Sequence, residues 1–125
     1  SIGNHTYNHK NGWKHTTSDF LHDVSTFEEV YTSKLFRPPY GRMKSSQIKI
    51  VKRDYNIIMW SILSQDYDES ISPEVCAELA CGNWEKGSII VFHDSLKAEK
   101  NMLFALEKVL EKANAEGWQC SAIKQ

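Results

Sequence analysis

The chain has 125 residues, a length that suits one small domain or part of a larger one. It is 41% hydrophobic and 25% charged, which is ordinary for a globular domain with a packed core. Its formal net charge of -1 argues against nucleic acid as a partner, because phosphate binding normally needs a basic surplus.

Two histidines four residues apart lie at the start of the chain, in the segment GNHTYNH. On a helix or in a tight turn, the side chains of His5 and His9 would share one face and could bind one metal ion. As a bare pattern HxxxH is weak, since two surface histidines are the more common outcome. His15 and His22 are interpreted as solvated.

The first half of the chain predicts mainly helices. Residues 10–19 are polar and predict a loop, and apolar residues at helical spacing predict a helix over 20–31. A short strand is predicted around Leu35. Residues 44–53 predict a surface helix, because their few apolar positions stand among lysines.

Strand and helix patterns alternate in the second half. This alternation predicts a parallel sheet covered by helices, either open or barrel-like, with functional residues where the strands end. Ser72 and Pro73 are a typical N-cap and first helical residue. The predicted elements are buried strands at 56–60 and 88–92, helices at 73–80 and 99–115, and a last strand at 118–123.

The three cysteines do not form a metal-binding pattern. Cys76, Cys81 and Cys120 include no CxxC pair, and they are interpreted as small buried hydrophobes. A disulfide between Cys76 and Cys81 is not expected if both lie on one helix, because their side chains diverge.

A stiff turn is predicted at the segment RPPYG, residues 37–41. Its two prolines fix φ and remove two N–H donors. Such a turn would hold the Arg37 guanidinium and the Tyr40 backbone N–H at fixed positions. A structural loop with a surface arginine is an equally good interpretation of this segment alone.

Two further polar segments follow predicted strands. Asp66 lies in SQDYD, which taken alone is better interpreted as a turn or a helix cap. His93 ends the apolar run IIVFHD, where a general acid or base would stand and where a nearby carboxylate could orient its ring. A core histidine bonded to the backbone is an equal alternative.

Taken together and in this order, the four segments resemble the polysaccharide deacetylase family, the NodB-homology domains of carbohydrate esterase family 4. The resemblance covers essentially the whole chain. GNHTYNH is similar to the family motif H-[ST]-x-x-H, which implies that His5 and His9 bind the metal. RPPYG is similar to R-x-P-[YF]-G, which implies that Arg37 orients the catalytic base and that the Tyr40 N–H helps to hold the oxyanion.

The later motifs imply the remaining site residues. SQDYD and IIVFHD are similar to the fourth and fifth family motifs, so Asp66 would support His93, the general acid. Val91 would line the pocket for the acetyl methyl group, at a position where the family usually has leucine. Tyr67 would belong to the same substrate pocket, although the family usually has tryptophan there.

One departure from the family is serious. The first motif, T-F-D-D-G, supplies the catalytic base and a third metal ligand, and no Asp-Asp pair occurs in this sequence. The resemblance therefore implies the C-terminal portion of a longer deacetylase. The fold class would be α/β, a partial deformed (β/α) barrel with its first strands missing, in a single domain over 1–125.

The resemblance also implies a function. The parent domain would hydrolyse N-acetyl or O-acetyl groups on a polysaccharide with a divalent metal, for which zinc is expected, and this chain alone would be inactive or nearly so. Expected partners are an acetylated polysaccharide or oligosaccharide, together with self-association, segment swapping or pairing with the missing N-terminal fragment. The alternative is a non-catalytic carbohydrate-binding or structural α/β module. A flavodoxin-like domain is disfavoured, because no glycine-rich phosphate loop is present.

Overall fold

A computed structural model describes residues 1–124, which fall into two compact units. The first unit comprises Ser1–Met59 and the C-terminal residues from Ala122, and the second comprises Trp60–Ser121. Each unit contains one parallel pair of short strands and one apolar cluster of its own. The expectation of a single domain stays a prediction.

Parallel strands bring two of the predicted segments to one edge of the first unit. Strand β1, Leu35–Phe36, pairs in parallel with β2, Asn56–Ile57. Asn4 forms a parallel bridge to Phe36 on its other side. Because parallel strands end at the same edge, the residues that follow Asn4 and Phe36 emerge side by side. The helices of this unit are α1, Thr17–Glu28, and α2, Ser45–Val51, with 3₁₀ turns at Gly12–Lys14 and Pro39–Gly41.

The core of the first unit forms between α1, α2 and the strands. Helix α1 begins at an N-cap, Thr16, whose side chain accepts a hydrogen bond from the Asp19 N–H at 3.1 Å. Aromatic rings then pack edge to face in the interior, with Phe36 6.2 Å from Phe20 between ring centroids. The buried cluster comprises Phe20, Val24, Phe36, Val51 and Tyr55.

The second unit pairs two strands and packs two helices. Strand β3, Ile62–Leu63, pairs in parallel with β4, Ile90–Val91. Helix α3, Pro73–Ala80, packs against α4, Glu99–Glu116, through small residues that allow close approach. Helix α3 begins where the sequence predicts, because Ser72 caps it. Helix α4 ends at Gly117, which has a φ of 72°.

The predicted strands are longer and more buried than the observed ones. Of 56–60 only Asn56–Ile57 is a strand, and Asn56 is exposed; of 88–92 only Ile90–Val91 is a strand. In the part of the chain that the structure describes, β2 and β4 each pair with one other strand. The opposite edge of each therefore forms no ladder of backbone hydrogen bonds with another strand. The apolar residues predicted strand character correctly but not the length of the pairing.

The prediction of a last strand over 118–123 is wrong, because these residues form no strand in the structure. The Trp118 N–H donates to the Ala113 carbonyl at 2.8 Å, which turns the chain back over the end of α4. The Trp118 ring then packs against Trp84, with 6.3 Å between centroids. The Trp118 N–H is therefore used in a hydrogen bond that caps α4, and it is not available for a strand ladder.

Smaller differences concern the first helix and the cysteines. Helix α1 begins within the segment predicted as a loop, at Thr17, and ends before the predicted limit, at Glu28. Cys76 is buried, but Cys81 is half-buried and Cys120 is exposed, so the prediction of buried thiols is wrong for the last. All three thiols are free.

No helix within residues 1–124 is long and apolar enough to cross a bilayer.

Replacing Phe36 with alanine tests the core of the first unit. Its ring is fully buried between Phe20 and Tyr55, so Phe36→Ala should lower the free energy of unfolding by about 3–5 kcal/mol. Urea unfolding followed by circular dichroism measures this loss. Val30 is 70% exposed, and Val30→Ala should change stability by less than about 0.5 kcal/mol. Equal losses in both variants would contradict the assigned core.

Candidate functional site

The His5–His9 segment is a turn that brings both imidazoles together. Their ring centroids are 4.9 Å apart, with the rings edge to face. The turn is not helical, because Thr6 and His9 have φ values of 60° and 54°, in the left-handed region that residues other than glycine rarely adopt. The two side chains thus share a face, as the spacing predicts, through an irregular turn.

A backbone hydrogen bond sets the tautomer of His5. Its Nδ1–H donates to the Arg37 carbonyl at 2.6 Å, which places the ring proton on Nδ1 and makes Nε2 the acceptor nitrogen. Metal-binding histidines commonly bond a carbonyl in this way through their other nitrogen. His5 thus presents Nε2 as a nitrogen that could bind a divalent ion, and the His9 ring lies beside it. Within residues 1–124, however, no group of three His, Cys, Asp or Glu side chains could hold a metal ion.

A buried aspartate on α1 holds the same turn. Asp23 accepts from the Asn8 N–H at 2.9 Å and from the Asn8 side-chain amide at 2.6 Å. Lys10 lies 3.9 Å from the same carboxylate. Burial acts to raise the pKa of Asp23, but the Asn8 hydrogen bonds and the Lys10 charge together hold that pKa below its usual value. The charged carboxylate is thus the form that fixes the turn.

Asn4 anchors the start of the turn from within the core. It is 1% exposed, and its amide donates to the Val24 carbonyl at 2.9 Å and to the Tyr55 hydroxyl at 3.0 Å. Its side-chain oxygen accepts from the Thr6 N–H at 2.9 Å. These bonds help to hold Thr6 in its left-handed conformation.

The RPPYG segment lies next to the histidine turn. The Arg37 Nε–H donates to the Ile58 carbonyl at 3.2 Å, and burial lowers the pKa of the guanidinium. Arg37 forms no ion pair with a carboxylate among residues 1–124. Tyr40 has a φ of 60°, and its exposed ring meets the edge of His9 with 4.8 Å between centroids.

In the second unit, a buried carboxylate binds one histidine twice. Asp66 is completely buried and accepts from the His93 backbone N–H at 2.6 Å and from His93 Nδ1–H at 2.7 Å. The His93 side chain is 39% exposed, so the ring reaches from the buried carboxylate to solvent. This pairing fixes the tautomer and the direction of the ring.

Residues around this pair complete the arrangement. The Ser64 hydroxyl donates to the Val91 carbonyl at 2.7 Å and accepts from the Asp66 N–H at 3.3 Å, which joins the ends of β3 and β4. The Tyr67 ring lies edge to face with the His93 ring, with 4.8 Å between centroids. Val91 is buried in β4.

The structure thus groups the predicted site residues in two sets, and their chemical roles stay predictions. His5, His9, Arg37 and Tyr40 lie together in the first unit; Asp66, Tyr67, Val91 and His93 lie together in the second. Sequence reasoning missed the supporting residues Asn4, Asp23 and Ser64. One signal was available for Asp23, since it stands on the apolar stripe of α1 between Phe20 and Val24.

Comparisons with known proteins show which sequences this chain is similar to. Residues 1–56 match the family model described as polysaccharide deacetylase. The chain is 28% identical over 124 residues to the peptidoglycan-N-acetylglucosamine deacetylase of Bacillus cereus, an alignment that covers 93% of this chain and 45% of that protein.

Solved structures show the same fold. A crystal structure of a peptidoglycan N-acetylglucosamine deacetylase in complex with 4-naphthalen-1-yl-N-oxidanyl-benzamide matches with a TM-score of 0.85 at 27% identity, over 94% of this chain and 58% of that one. A CE4 family pseudoenzyme from Bacillus anthracis matches with a TM-score of 0.74 at 23% identity, over 95% of this chain and 43% of that one. The chain therefore spans roughly half the length of these relatives, and the α/β fold predicted from the sequence is confirmed.

The pH dependence of stability tests the role of Asp23. Its pKa in the folded state lies below the ordinary value of 3.8, so its stabilising effect is fully present above that value and is lost as the pH falls through the lowered one. Asp23→Asn should reduce the free energy of unfolding near neutral pH by about 1–3 kcal/mol. It should also make the acid loss of stability shallower in urea unfolding between about pH 7 and about pH 2.

Asp54→Asn is the matched control, because Asp54 is exposed. It should leave the neutral-pH stability within about 0.5 kcal/mol of the parent chain. If the free energy of unfolding of Asp23→Asn falls with acid as steeply as that of the parent chain, the pH dependence belongs to another carboxylate.

Proposed function

We propose that this chain is a member of the polysaccharide deacetylase family and that its two sets of site residues serve the metal-dependent hydrolysis of N-acetyl or O-acetyl groups on a polysaccharide. The observation that carries the proposal is the Asp66–His93 pair. A completely buried carboxylate that binds both the backbone and the ring of one half-exposed histidine is suited to directing a proton-transfer group.

His93 would act as the general acid. Asp66 accepts the Nδ1–H, so the opposite nitrogen, Nε2, is the one that would donate a proton to the departing amine or alcohol. The edge contact from Tyr67 limits rotation of the ring. Val91 and Tyr67 would border the acetyl group.

His5 and His9 would hold a divalent metal, for which zinc is expected. Such an ion would supply Lewis-acid polarisation of the acetyl carbonyl and would acidify a water molecule. The bond from His5 Nδ1 to the Arg37 carbonyl orients Nε2 for this role. The Tyr40 N–H would help to hold the oxyanion, and Arg37 would orient the base.

The residue inventory supports a further part of the proposal. The sequence has no Asp-Asp pair, and residues 1–124 offer no group of three metal-binding side chains. We infer that the base and a third ligand come from a polypeptide segment other than residues 1–125. Arg37, which has a partly buried charge and no carboxylate partner among the described residues, would then pair with that base.

A non-catalytic carbohydrate-binding module is the second candidate. It is favoured by the same lack of a three-ligand group, and a pseudoenzyme is among the structures that this fold matches. It requires glycan binding without metal-dependent acetate release.

Acetate release from an acetylated chitooligosaccharide, with zinc or cobalt added, tests the enzymatic proposal. The 125-residue chain alone should release acetate at the background rate. Adding the N-terminal part of the Bacillus cereus deacetylase, fused ahead of Ser1 or as a separate polypeptide, should produce zinc-dependent release. His93→Ala in that fusion should lower the rate about 100-fold or more.

The exposed His22 provides the control for this experiment, and His22→Ala should leave the rate within about twofold. Robust turnover by the chain alone would refute the inferred need for another segment. A folded, metal-loaded fusion without activity would favour the binding module. Activity with the separate polypeptide would show that the two parts pair.

Zinc titration calorimetry tests the two histidines directly. Two imidazole ligands should give weak binding, with a dissociation constant weaker than about 1 μM, since zinc sites normally use three or four protein ligands. His5→Ala or His9→Ala should abolish this binding, while His22→Ala should leave it unchanged. Binding that survives both single variants would place the metal elsewhere.

A further inference from the structure

A groove of about 530 Å³ lies on the first unit, beside the histidine turn. Its size is sufficient for a sugar ring. The groove contains His9 and Tyr40 at one side, but most of its wall belongs to residues that the deacetylase motifs do not include. The side chains that matter here are His9, Lys10, Lys14, His15, Tyr40 and Arg42.

The charge of this wall is uniformly positive. Three permanent cations line it, and no aspartate or glutamate among residues 1–124 does. Lys10 is partly neutralised by Asp23, 3.9 Å away, but Lys14 and Arg42 form no ion pair with a carboxylate among residues 1–124. Lys44 adds a fourth cation close by, because its ammonium donates to the His15 carbonyl at 2.6 Å. A chain of net charge -1 therefore gathers positive charge in this groove.

An exposed aromatic ring accompanies the cations. The Arg42 guanidinium lies over the Trp13 ring, 4.9 Å from its centroid. The Trp13 Nε1–H donates to the Met43 carbonyl at 3.1 Å, which holds the ring while 59% of the residue stays exposed. The contact with Trp13 helps to hold the guanidinium of Arg42, which lines the groove, in one position.

The groove is formed before any ligand binds. Gly12 carries no side chain where a Cβ would lie 2.5 Å from the Arg42 carbonyl oxygen. Its own carbonyl accepts from the Gln47 side-chain amide at 3.0 Å, and its N–H donates to Arg42 at 3.2 Å. The segment that carries Trp13 and Lys14 is thus fixed against the segment that carries Arg42, which reduces the ordering cost of binding.

We propose that this groove binds an anionic sugar residue of the polysaccharide, one that carries a carboxylate or a phosphate ester, through Lys14 and Arg42. The assignment of a polysaccharide ligand rests on the proposed function; the preference for negative charge rests on the wall of the groove. Because His9 and Tyr40 also border the groove, the anionic residue would lie beside the residue that is deacetylated.

Calorimetric titration of the 125-residue chain with matched tetrasaccharides tests this preference. The ligands are the neutral tetramer of N-acetylglucosamine, an alternating N-acetylglucosamine and N-acetylmuramic acid tetrasaccharide, its methyl ester, and a phosphorylated N-acetylglucosamine tetramer. At least one anionic ligand should bind about fivefold or more tightly than the neutral ones, and this advantage should shrink as salt is added. The tighter anionic ligand identifies the group that is bound.

Single substitutions locate the effect. Lys14→Gln and Arg42→Gln should each weaken binding of the anionic ligand about fivefold and leave the neutral tetramer within about twofold. Lys14→Arg should retain the preference, and Lys49→Gln, on the exposed side of α2, should change nothing.

Two results would overturn the inference: equal affinity for neutral and anionic ligands, or losses in Lys14→Gln and Arg42→Gln that are the same for both classes. Binding is measured without turnover, so a failure to release acetate counts against the proposed function alone. The charge preference is decided by the titrations alone.

Discussion

Each unit depends on one buried aspartate that accepts two hydrogen bonds from a single residue. Asp23 accepts from the backbone and side-chain N–H groups of Asn8, and Asp66 accepts from the backbone and ring N–H groups of His93. The strands are only two residues long, so their ladders supply few bonds to hold the loops that follow them. Burying a carboxylate is costly unless its oxygens are bonded, and here both oxygens are. The two carboxylates therefore hold the loops at Asn8 and His93 in place, as the hydrogen bonds of longer strands otherwise would.

These bonds also explain how unfavourable backbone conformations persist. Thr6, His9, Tyr40 and Gln65 all have left-handed φ values, at a cost of roughly 1 kcal/mol or more each. The surroundings compensate at Thr6, whose N–H donates to Asn4 and whose hydroxyl accepts from the Lys10 N–H. All four residues belong to, or directly adjoin, the predicted site residues. Strain concentrated in this way is expected where a side chain must point in a direction that a relaxed backbone would not give.

Local signals were sufficient for the helices but not for the strands or the supporting residues. Helices α3 and α4 follow from caps and spacing that lie within a few residues of each other, such as Ser72 with Pro73. Strand length depends on partners far away in the sequence, so apolar runs such as 88–92 predicted more ladder than forms. The grouping of His93 with Asp66 came from the motifs rather than from periodicity. Asn4 could not be found in this way, because its partners Val24 and Tyr55 are distant in the chain.

In the first unit, the histidine turn would connect the proposed glycan binding with the proposed chemistry. Asp23 fixes Asn8 and also pairs with Lys10, so one carboxylate positions both the residue next to His9 and one wall of the cationic groove. That pairing lowers the effective charge of Lys10, while Lys14 and Arg42 keep theirs for a ligand. A glycan drawn into the groove by its negative charge would thus contact a wall held by the same bonds that orient the proposed metal ligands. Since His9 and Tyr40 belong to both arrangements, a shift of the turn would change affinity and reactivity together.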